Sequence, residues 1–238
     1  MTTLPQGTLA APRAPSSLPR YLGRNGRQID LQGQSVAQYV ASYVSAARVG
    51  NIDAAYAVYQ ALSICANLDQ PLAEYADQNE RLHDMRAREE VKTVCATISP
   101  AQIQERLRFL SLAANAGKPN AAIDFYMDGP GQRRGHEVTL EDGAQTQWRT
   151  DALAHLLRAA QQCDQFVLSL LSTAYENGQL GERNLTLAVA YSAANGYAGK
   201  HPRSTQQLQA QFEGQPSAAE LADGMQLGSR LAQQACHD

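Results

Sequence analysis

The stretch LLSTAYENGQLGERNLTLAVAYSAANGYAG, residues 170–199, decides the fold of this chain. Small residues stand where a helix normally carries bulky side chains, and glycines lie between the pairs of alanines. Alanine at a helix crossing lets two backbones approach closely, and glycine ends helices because it adopts the left-handed conformation. The stretch therefore predicts short helices that pack closely against one another.

The same pattern occurs elsewhere in the chain. Residues 45–59 (SAARVGNIDAAYAVY) and 112–126 (LAANAGKPNAAIDFY) share an Ala-Ala pair and a glycine three residues later. In both, a second Ala-Ala pair and an aromatic residue follow at matching offsets. Residues 158–178 repeat the pattern with Cys163 in the place of the glycine, and residues 192–199 are a shortened copy. The chain therefore contains internal repeats.

Four alanines measure the spacing of these copies. They are the second members of the Ala-Ala pairs, and their separations are 67, 46 and 34 residues: Ala47, Ala114, Ala160 and Ala194. The separations fit a unit of about 34 residues if about twelve residues are inserted near 129–145. Such a unit predicts antiparallel helix pairs stacked side by side, with Gly50 and Gly117 in the left-handed conformation at helix ends.

Apolar residues three and four positions apart predict the first two helices. The first set is Val36, Tyr39, Val40, Tyr43 and Val44, and the second is Ile52, Tyr56, Tyr59 and Leu62. A longer helix follows Pro71, because the sequence is dense in Ala, Glu, Arg and Leu, and we expect it to end by Ser99.

Capping signals mark the starts of later helices. Ser99 precedes Pro100, and Gln102 is placed to complete a capping box. The same signal recurs as Ser204 with Gln207 and as Ser217 with Glu220. No alternation of apolar and polar residues is long enough to predict a strand. The expected fold class is all-α, a short solenoid of stacked antiparallel helical hairpins.

The repeat pattern resembles that of the Sel1-like repeat, a relative of the tetratricopeptide repeat. The matching residues are Tyr175, Gly178, Gly181, Ala188, Tyr191, Ala193, Ala194 and Gly196. The resemblance covers roughly residues 100–200, with a weaker match at 34–66, and residues 67–98 barely fit it. It implies an adaptor or scaffold that binds peptides or proteins on a concave surface, often in the bacterial envelope or in signalling.

The composition of residues 1–33 differs from that of the rest. Four prolines and four glycines occur there, together with Arg13, Arg20, Arg24 and Arg27. This mixture cannot sustain a helix and has few apolar groups to bury. The sequence predicts a flexible linker or tail over 1–33 and a helical repeat domain over 34–238, with an inserted loop at about 129–145.

Charge and composition limit the classes of function. Of the 238 residues, 44% are hydrophobic and 18% are charged, which is typical of a globular protein long enough to bury a core. The net charge of -3 gives no basic field for neutralising phosphates, so we expect no nucleic-acid partner. No run of about 18 apolar residues occurs, so we expect no membrane span in this segment.

The four cysteines allow three disulfide connectivities. We favour Cys65 with Cys95, which bracket one helical hairpin, and Cys163 with Cys236, which would attach the C-terminal helix. The alternative is four buried reduced thiols. Disulfides would indicate the periplasm or another oxidising compartment, with a targeting segment before Met1, whereas reduced thiols would indicate the cytoplasm. The spacing is unlike that of zinc sites.

Two sets of residues are candidates for binding a partner. Arg133 and Arg134 lie in the glycine-rich stretch GPGQRRGHE at 129–137. Their guanidinium groups suit carboxylates or phosphates of a partner. The alternative is a surface loop without a binding role. Tyr39 and Tyr43, on the first helix, have the side chain favoured in recognition surfaces, although a tyrosine stripe is more often core.

The sequence favours a non-enzymatic scaffold over an enzyme. Neither a phosphate-binding glycine loop nor an HExxH metal motif occurs, and we expect no cofactor, no metal and no catalytic residue. His155 is expected at a helix surface or a packing boundary. The alternative is a cell-wall-related envelope enzyme or its regulatory subunit, with catalytic carboxylates among the helix charges. A deep pocket with close acids would favour that alternative, whereas a broad groove would favour binding of a protein or peptide.

Overall fold

Helices form most of the chain in a computed structural model that describes residues 20–23, 25–69, 77–129 and 142–236. The all-α prediction is confirmed. In chain order the described elements are β1 (Arg20–Leu22), β2 (Gln28–Asp30), α1 (Val36–Arg48), α2 (Ile52–Ala66), a 3₁₀ turn (Asn67–Asp69), α3 (Gln78–Val94), α4 (Pro100–Asn115), α5 (Pro119–Asp128), α6 (Asp142–Ala160), α7 (Gln165–Asn177), α8 (Leu185–Ala198), α9 (Thr205–Gln211) and α10 (Ala218–Ala235).

Serine residues cap four of these helices. At α4 the Gln102 amide donates to Ser99 Oγ at 3.3 Å, and the Ser99 amide donates to Gln102 Oε1 at 2.9 Å. The same reciprocal pair is present at the starts of α9 and α10, as the sequence predicted. A fourth capping box, Ser35 with Gln38, starts α1 and was missed. These caps satisfy backbone donors that have no partner inside the helix.

The helices pack against one another largely in chain order, except that α3 and α9 are bypassed. α1 contacts α2, α2 contacts α4, and α4 to α8 contact one another in order, while α10 covers α8. The buried side chains form three clusters that follow the same order, from the hairpin and α1–α4 through α5–α7 to α8–α10. The packing of these helices therefore follows the order of the chain.

Three turns between paired helices have the same geometry. The left-handed residue is Gly50 (φ 95°) between α1 and α2, Gly117 (φ 80°) between α4 and α5, and Cys163 (φ 56°) between α6 and α7. Each amide donates to the carbonyl of the alanine three residues earlier, at 3.1, 2.9 and 3.1 Å. The predicted left-handed glycines are confirmed, and the internal repeat is visible in the backbone. A cysteine in this conformation costs about 1 kcal/mol relative to glycine.

Two parts of the chain depart from this repeat. Ala194 lies inside α8, which continues to Ala198, and the left-handed residue there is Lys200 (φ 58°). The fourth, shortened copy therefore forms its turn three residues later than the others. α3 has no buried residue, and α2 packs directly on α4, so α3 lies outside the stack. Most of its charged residues are exposed to solvent.

A short hairpin precedes α1, where the sequence predicted a linker. β1 and β2 pair antiparallel with Tyr21 opposite Ile29, and Ile29 and Leu31 are 6% and 1% exposed within the first cluster. The linker interpretation is therefore wrong for the described residues between 20 and 33, while residues 1–19 lie outside the described part. The strands are too short for an alternating pattern to reveal them.

Two disulfides connect the helices, with the pairing that the sequence favoured. The internal disulfide, Cys65–Cys95, joins the end of α2 to the end of α3, with Cα atoms 5.7 Å apart. The C-terminal disulfide, Cys163–Cys236, joins the α6–α7 turn to the end of α10, with Cα atoms 5.0 Å apart. All four cysteines are thus used. Among the described helices, none combines the length and the apolar character needed to cross a membrane.

Candidate binding cleft

A cleft of about 550 Å³ opens between α6, α7, α8 and α10. Leu157, Leu168 and Leu231 form apolar walls, and the carboxamides of Gln161 and Gln234 stand at its polar positions. Among the described residues that line it, none is charged. The cleft therefore favours an uncharged, partly apolar occupant over an ion or a highly charged group.

Two glycines place α10 against α8 and so form one side of the cleft. A Cβ atom on Gly228 would lie 2.5 Å from the Ala190 carbonyl oxygen, and one on Gly224 would lie 2.6 Å from Val189 Cγ1. Since real Cβ atoms do not approach neighbours this closely, only glycine allows this helix contact. The two glycines are four positions apart, so they share one face of α10. Leu231 follows on the side of the cleft.

Tyr191 supplies the aromatic part of the cleft wall. Its ring stacks on Tyr175, with centroids 5.7 Å apart and planes 3° apart, and the residue is 7% exposed. Burial raises the pKa of Tyr191 to about 12, with a further contribution from Tyr175. The hydroxyl therefore stays protonated at neutral pH and can both donate and accept a hydrogen bond.

A second polar group of side chains lies between the hairpin and α2, α4 and α5, and we call it the polar network. Its centre is Asp124 of α5, 1% exposed, whose Oδ1 accepts from Arg27 Nε at 2.9 Å. Asp124 Oδ2 accepts from the hydroxyl of Tyr56 at 2.7 Å. Both carboxylate oxygens thus have a donor, and the contacts tie the hairpin and α2 to α5.

Asp128 extends the polar network by one helical turn. It is 2% exposed, accepts from the hydroxyl of Tyr59 at 3.4 Å, and lies 3.7 Å from Arg106 Nε. Asn25 of the hairpin donates to the same Tyr59 hydroxyl at 3.1 Å. Each buried acid is therefore matched by an arginine and a tyrosine, as burial of a charge requires.

The tyrosines of the polar network are held in their neutral form. Burial raises the pKa of Tyr56, and the negative charge of Asp124 raises it further. Burial also raises the pKa of Tyr59, followed by the effect of Asp128. A neutral hydroxyl donates to the carboxylate next to it, so the arrangement stabilises a fixed set of contacts and not a proton transfer at neutral pH.

His155 is buried and not at a helix surface, at 3% exposure. The Phe125 ring meets it edge-on, with centroids 4.8 Å apart, which places it at the boundary between α5 and α6. Its Nδ1 has no hydrogen-bond partner among the residues that the structure describes. Burial lowers the pKa of His155, the positive charge of Arg158 lowers it further, and Asp151 opposes the change. His155 is thus a neutral packing residue in this arrangement.

The structure describes two of the four partner-binding candidates named from the sequence. Tyr39 and Tyr43 are half-buried on α1, with ring centroids 4.9 Å apart, and they pack against the first cluster. Arg133 and Arg134 lie outside the described residues. Among the six cleft residues named above, Tyr191 alone is one of the residues that match the Sel1-like pattern, and the C-terminal disulfide ends at the cleft through Cys236.

The buried acids were missed by the sequence reasoning, although the chain contains a signal for them. Ala121, Asp124 and Asp128 are spaced three and four apart, so they share one face of α5. Ala121 is fully buried, and an acid on a buried face requires a cation close to it. The identities of those cations, Arg27 and Arg106, depend on tertiary placement.

Comparisons with known proteins add no assignment to this geometry. No model of a known protein family matches the chain, and no curated protein matches it in sequence. Within the described ranges, no group of three or more His, Cys, Asp and Glu side chains is placed to hold a metal ion.

Proposed function

We propose that the protein is a non-enzymatic scaffold that binds an extended peptide segment of a protein partner in the cleft between α6, α7, α8 and α10. The observation that carries the proposal is the chemistry of the lining, which combines leucine walls with two carboxamides and no charge. A carboxamide has the same donor and acceptor groups as a peptide unit, so Gln161 and Gln234 suit a peptide main chain. The leucines suit apolar side chains of the same segment.

The size of the cleft agrees with such an occupant. Its volume of about 550 Å³ lies within the range of about 300–1,000 Å³ typical of ligand sites. The resemblance to the Sel1-like repeat also supports a scaffold, because that family is implied to bind peptides and proteins. The walls come from four helices, so an occupant contacts several elements of the stack at once.

The alternative, a cell-wall-related envelope enzyme or its regulatory subunit, has less support. Catalytic carboxylates need an open pocket and a proton to exchange. Asp124 and Asp128 are the buried acids of the described residues, and each contacts an arginine and a tyrosine. A pair engaged in this way is a typical structural ion-pair network.

The two disulfides support an extracytoplasmic location, the periplasm or another oxidising compartment, for this scaffold. Alkylation of thiols in acid-quenched native cells tests the location. We expect Cys65 and Cys95 to stay unlabelled before reduction, whereas four labelled cysteines would indicate the cytoplasm.

Selection of peptides tests the binding function. We would pan a displayed library of random twelve-residue peptides against the folded protein and measure the affinities of selected peptides for the wild type and for Gln161→Arg and Gln234→Arg. Both glutamines are exposed, so the substitutions add charge to the cleft without disturbing the core. We expect each substitution to weaken binding by about tenfold or more, because an arginine head group would have to leave water.

A matched control separates the cleft from general charge effects. Gln206→Arg makes the same change at an exposed position of α9, and we expect peptide affinities equal to those of the wild type. Selected peptides that bind all four proteins equally would show that the cleft is not the binding site. Failure to select any peptide would contradict the proposal itself.

A further inference from the structure

The C-terminal disulfide differs from the internal disulfide in its accessibility. Cys65 and Cys95 are 1% and 6% exposed and lie within the first cluster. Cys163 and Cys236 are both partly exposed, and Cys236 lines the open cleft. Thiol–disulfide exchange requires a thiolate to reach a sulfur atom of the bond. A thiolate therefore reaches the C-terminal disulfide more easily than the internal disulfide.

The position of Cys163 is the second observation. The two equivalent turns use Gly50 and Gly117, which adopt the left-handed conformation without steric cost. Cys163 adopts the same conformation (φ 56°) with a side chain that disfavours it. The turn itself therefore does not require a cysteine, and the bond to Cys236 is the contact that this residue adds.

The attachment of α10 is the third observation. Its middle part is fixed on α8 by the close contacts of Gly224 and Gly228. After Gly228, Ala232 is buried and Leu231 packs, partly buried, against the second cluster, while Gln233 and Gln234 are exposed. The C-terminal disulfide is thus the covalent attachment of the last two turns, and those turns form one wall of the cleft.

From these observations we infer that the C-terminal disulfide is a site of thiol–disulfide exchange whose reaction partner is a dithiol, either a dithiol oxidoreductase or a small dithiol. Exchange there frees the end of α10 while the internal disulfide stays closed. This inference does not rest on the proposed function, because it concerns bond accessibility and the attachment of a helix and not the occupant of the cleft.

The reaction balances with the dithiol as reductant. One thiolate of the dithiol attacks a sulfur atom of the Cys163–Cys236 bond, forms a mixed disulfide with that cysteine and releases the other as a thiolate, which takes up a proton. The second thiolate of the dithiol then attacks the mixed disulfide and releases the first cysteine, which is also protonated. Two electrons pass to the protein, and the dithiol becomes a disulfide.

Timed alkylation tests the accessibility. The folded full-length protein is incubated with dithiothreitol in native buffer, quenched with N-ethylmaleimide at intervals and analysed by peptide mass spectrometry. We expect Cys163 and Cys236 to be labelled about tenfold or more faster than Cys65 and Cys95. Equal labelling of the two pairs, faster labelling of Cys65 and Cys95, or no reduction without denaturant would each overturn the inference.

Hydrogen exchange tests the release of α10. In the selectively reduced protein we expect amides of residues 229–236 to exchange about tenfold or more faster, with α8 unchanged. The double variant Cys163→Gly with Cys236→Ala should show the same change without reductant, because glycine suits the left-handed turn. The variant Cys65→Ala with Cys95→Ala serves as the control and should leave residues 229–236 protected. Unchanged protection of residues 229–236 after reduction and in the glycine variant would overturn the release.

Discussion

Asp124 is the residue on which the contact between the hairpin and the helices depends. Replacing it with alanine leaves Arg27 and the Tyr56 hydroxyl without their shared acceptor in a buried setting. Removal of one partner from a buried ion pair is strongly destabilising, so we expect Asp124→Ala to lower the free energy of unfolding by about 3 kcal/mol. Urea denaturation followed by circular dichroism measures the change.

Asp53 provides the matched control for this prediction. It also forms an ion pair, with Lys118 Nζ at 2.7 Å, but its side chain is 88% exposed. Water screens such a pair, and we expect Asp53→Ala to cost about 1 kcal/mol or less. Equal losses for the two variants would show that burial of the polar network does not matter for stability.

Titration of Tyr191 makes the free energy of unfolding depend on pH in the alkaline range. Its pKa is raised to about 12 in the folded state, from an ordinary value of 10.0, mainly because it is buried. Above pH 10 the unfolded chain loses this proton while the folded chain keeps it, so the stabilising effect is complete below pH 10 and is lost as the pH rises toward 12. Tyr191→Phe removes one titrating group.

The measurement compares urea midpoints at pH 8 and pH 11. We expect the wild type to lose more stability over this interval than Tyr191→Phe, by roughly 1 kcal/mol, since each pH unit is worth about 1.4 kcal/mol per proton. Parallel losses in the two proteins would contradict the raised pKa of Tyr191.

At the scale of the elements, the contact between α8 and α10 permits no added atoms at Gly228. The nearest atoms to an added methyl group are the Ala190 carbonyl oxygen at 2.5 Å and Ala193 Cβ at 2.7 Å, and neither can rotate away. We therefore expect Gly228→Ala to destabilise the protein by about 2 kcal/mol despite the higher helix propensity of alanine. Thermal unfolding measures the effect.

Gly143 is the control for the same substitution. It lies in α6 with no atom of the described residues within 4 Å of an added Cβ, and its φ is not positive. We expect Gly143→Ala to stabilise the protein by about 0.5–1 kcal/mol, because alanine lowers the conformational entropy of the unfolded chain. A loss of stability in this variant, or a gain in Gly228→Ala, would be inconsistent with the packing described.

The elements also show which parts of the fold can be predicted from sequence. The starts at Ser99, Ser204 and Ser217 are predictable because a capping box depends on residues three positions apart. The hairpin is not, because its strands have three residues each and Ile29 is the one buried residue within these described strands. Its stability comes from contact with α2 and α5, which local patterns do not reveal.

At the scale of the whole molecule, three clusters in chain order predict that stability is local. Leu208 is fully buried in the third cluster, and Leu62 is 1% exposed in the first. We expect Leu208→Ala to cost about 2–5 kcal/mol and to increase hydrogen exchange in α8–α10 but not in α1 and α2. Leu62→Ala should give the opposite distribution. A uniform increase across all helices in both variants would contradict nearest-neighbour packing.

The candidate site could be predicted only in part, because it depends on contacts between helices that are distant in the chain. The pairing of Cys163 with Cys236 was favoured because it would attach the C-terminal helix, and the structure has this disulfide. The cleft itself needs Leu157, Leu231 and Tyr191 brought together from helices far apart in the chain. Periodicity indicates that these residues face inward, but the gap between neighbours depends on how closely the glycines of α10 let two helices approach.

The shared shape of the three turns has a consequence for how helix order is encoded. The residues before α2 and α5 have almost the same backbone angles, φ -70° and ψ 115° at Asn51, and φ -69° and ψ 116° at Lys118. Because these turns share one geometry, they do not determine which helices pack together. The side chains of the flanking helices determine it. We therefore expect the two turn segments, residues 49–51 and 116–118, to be interchangeable, so that exchanging them leaves the topology unchanged.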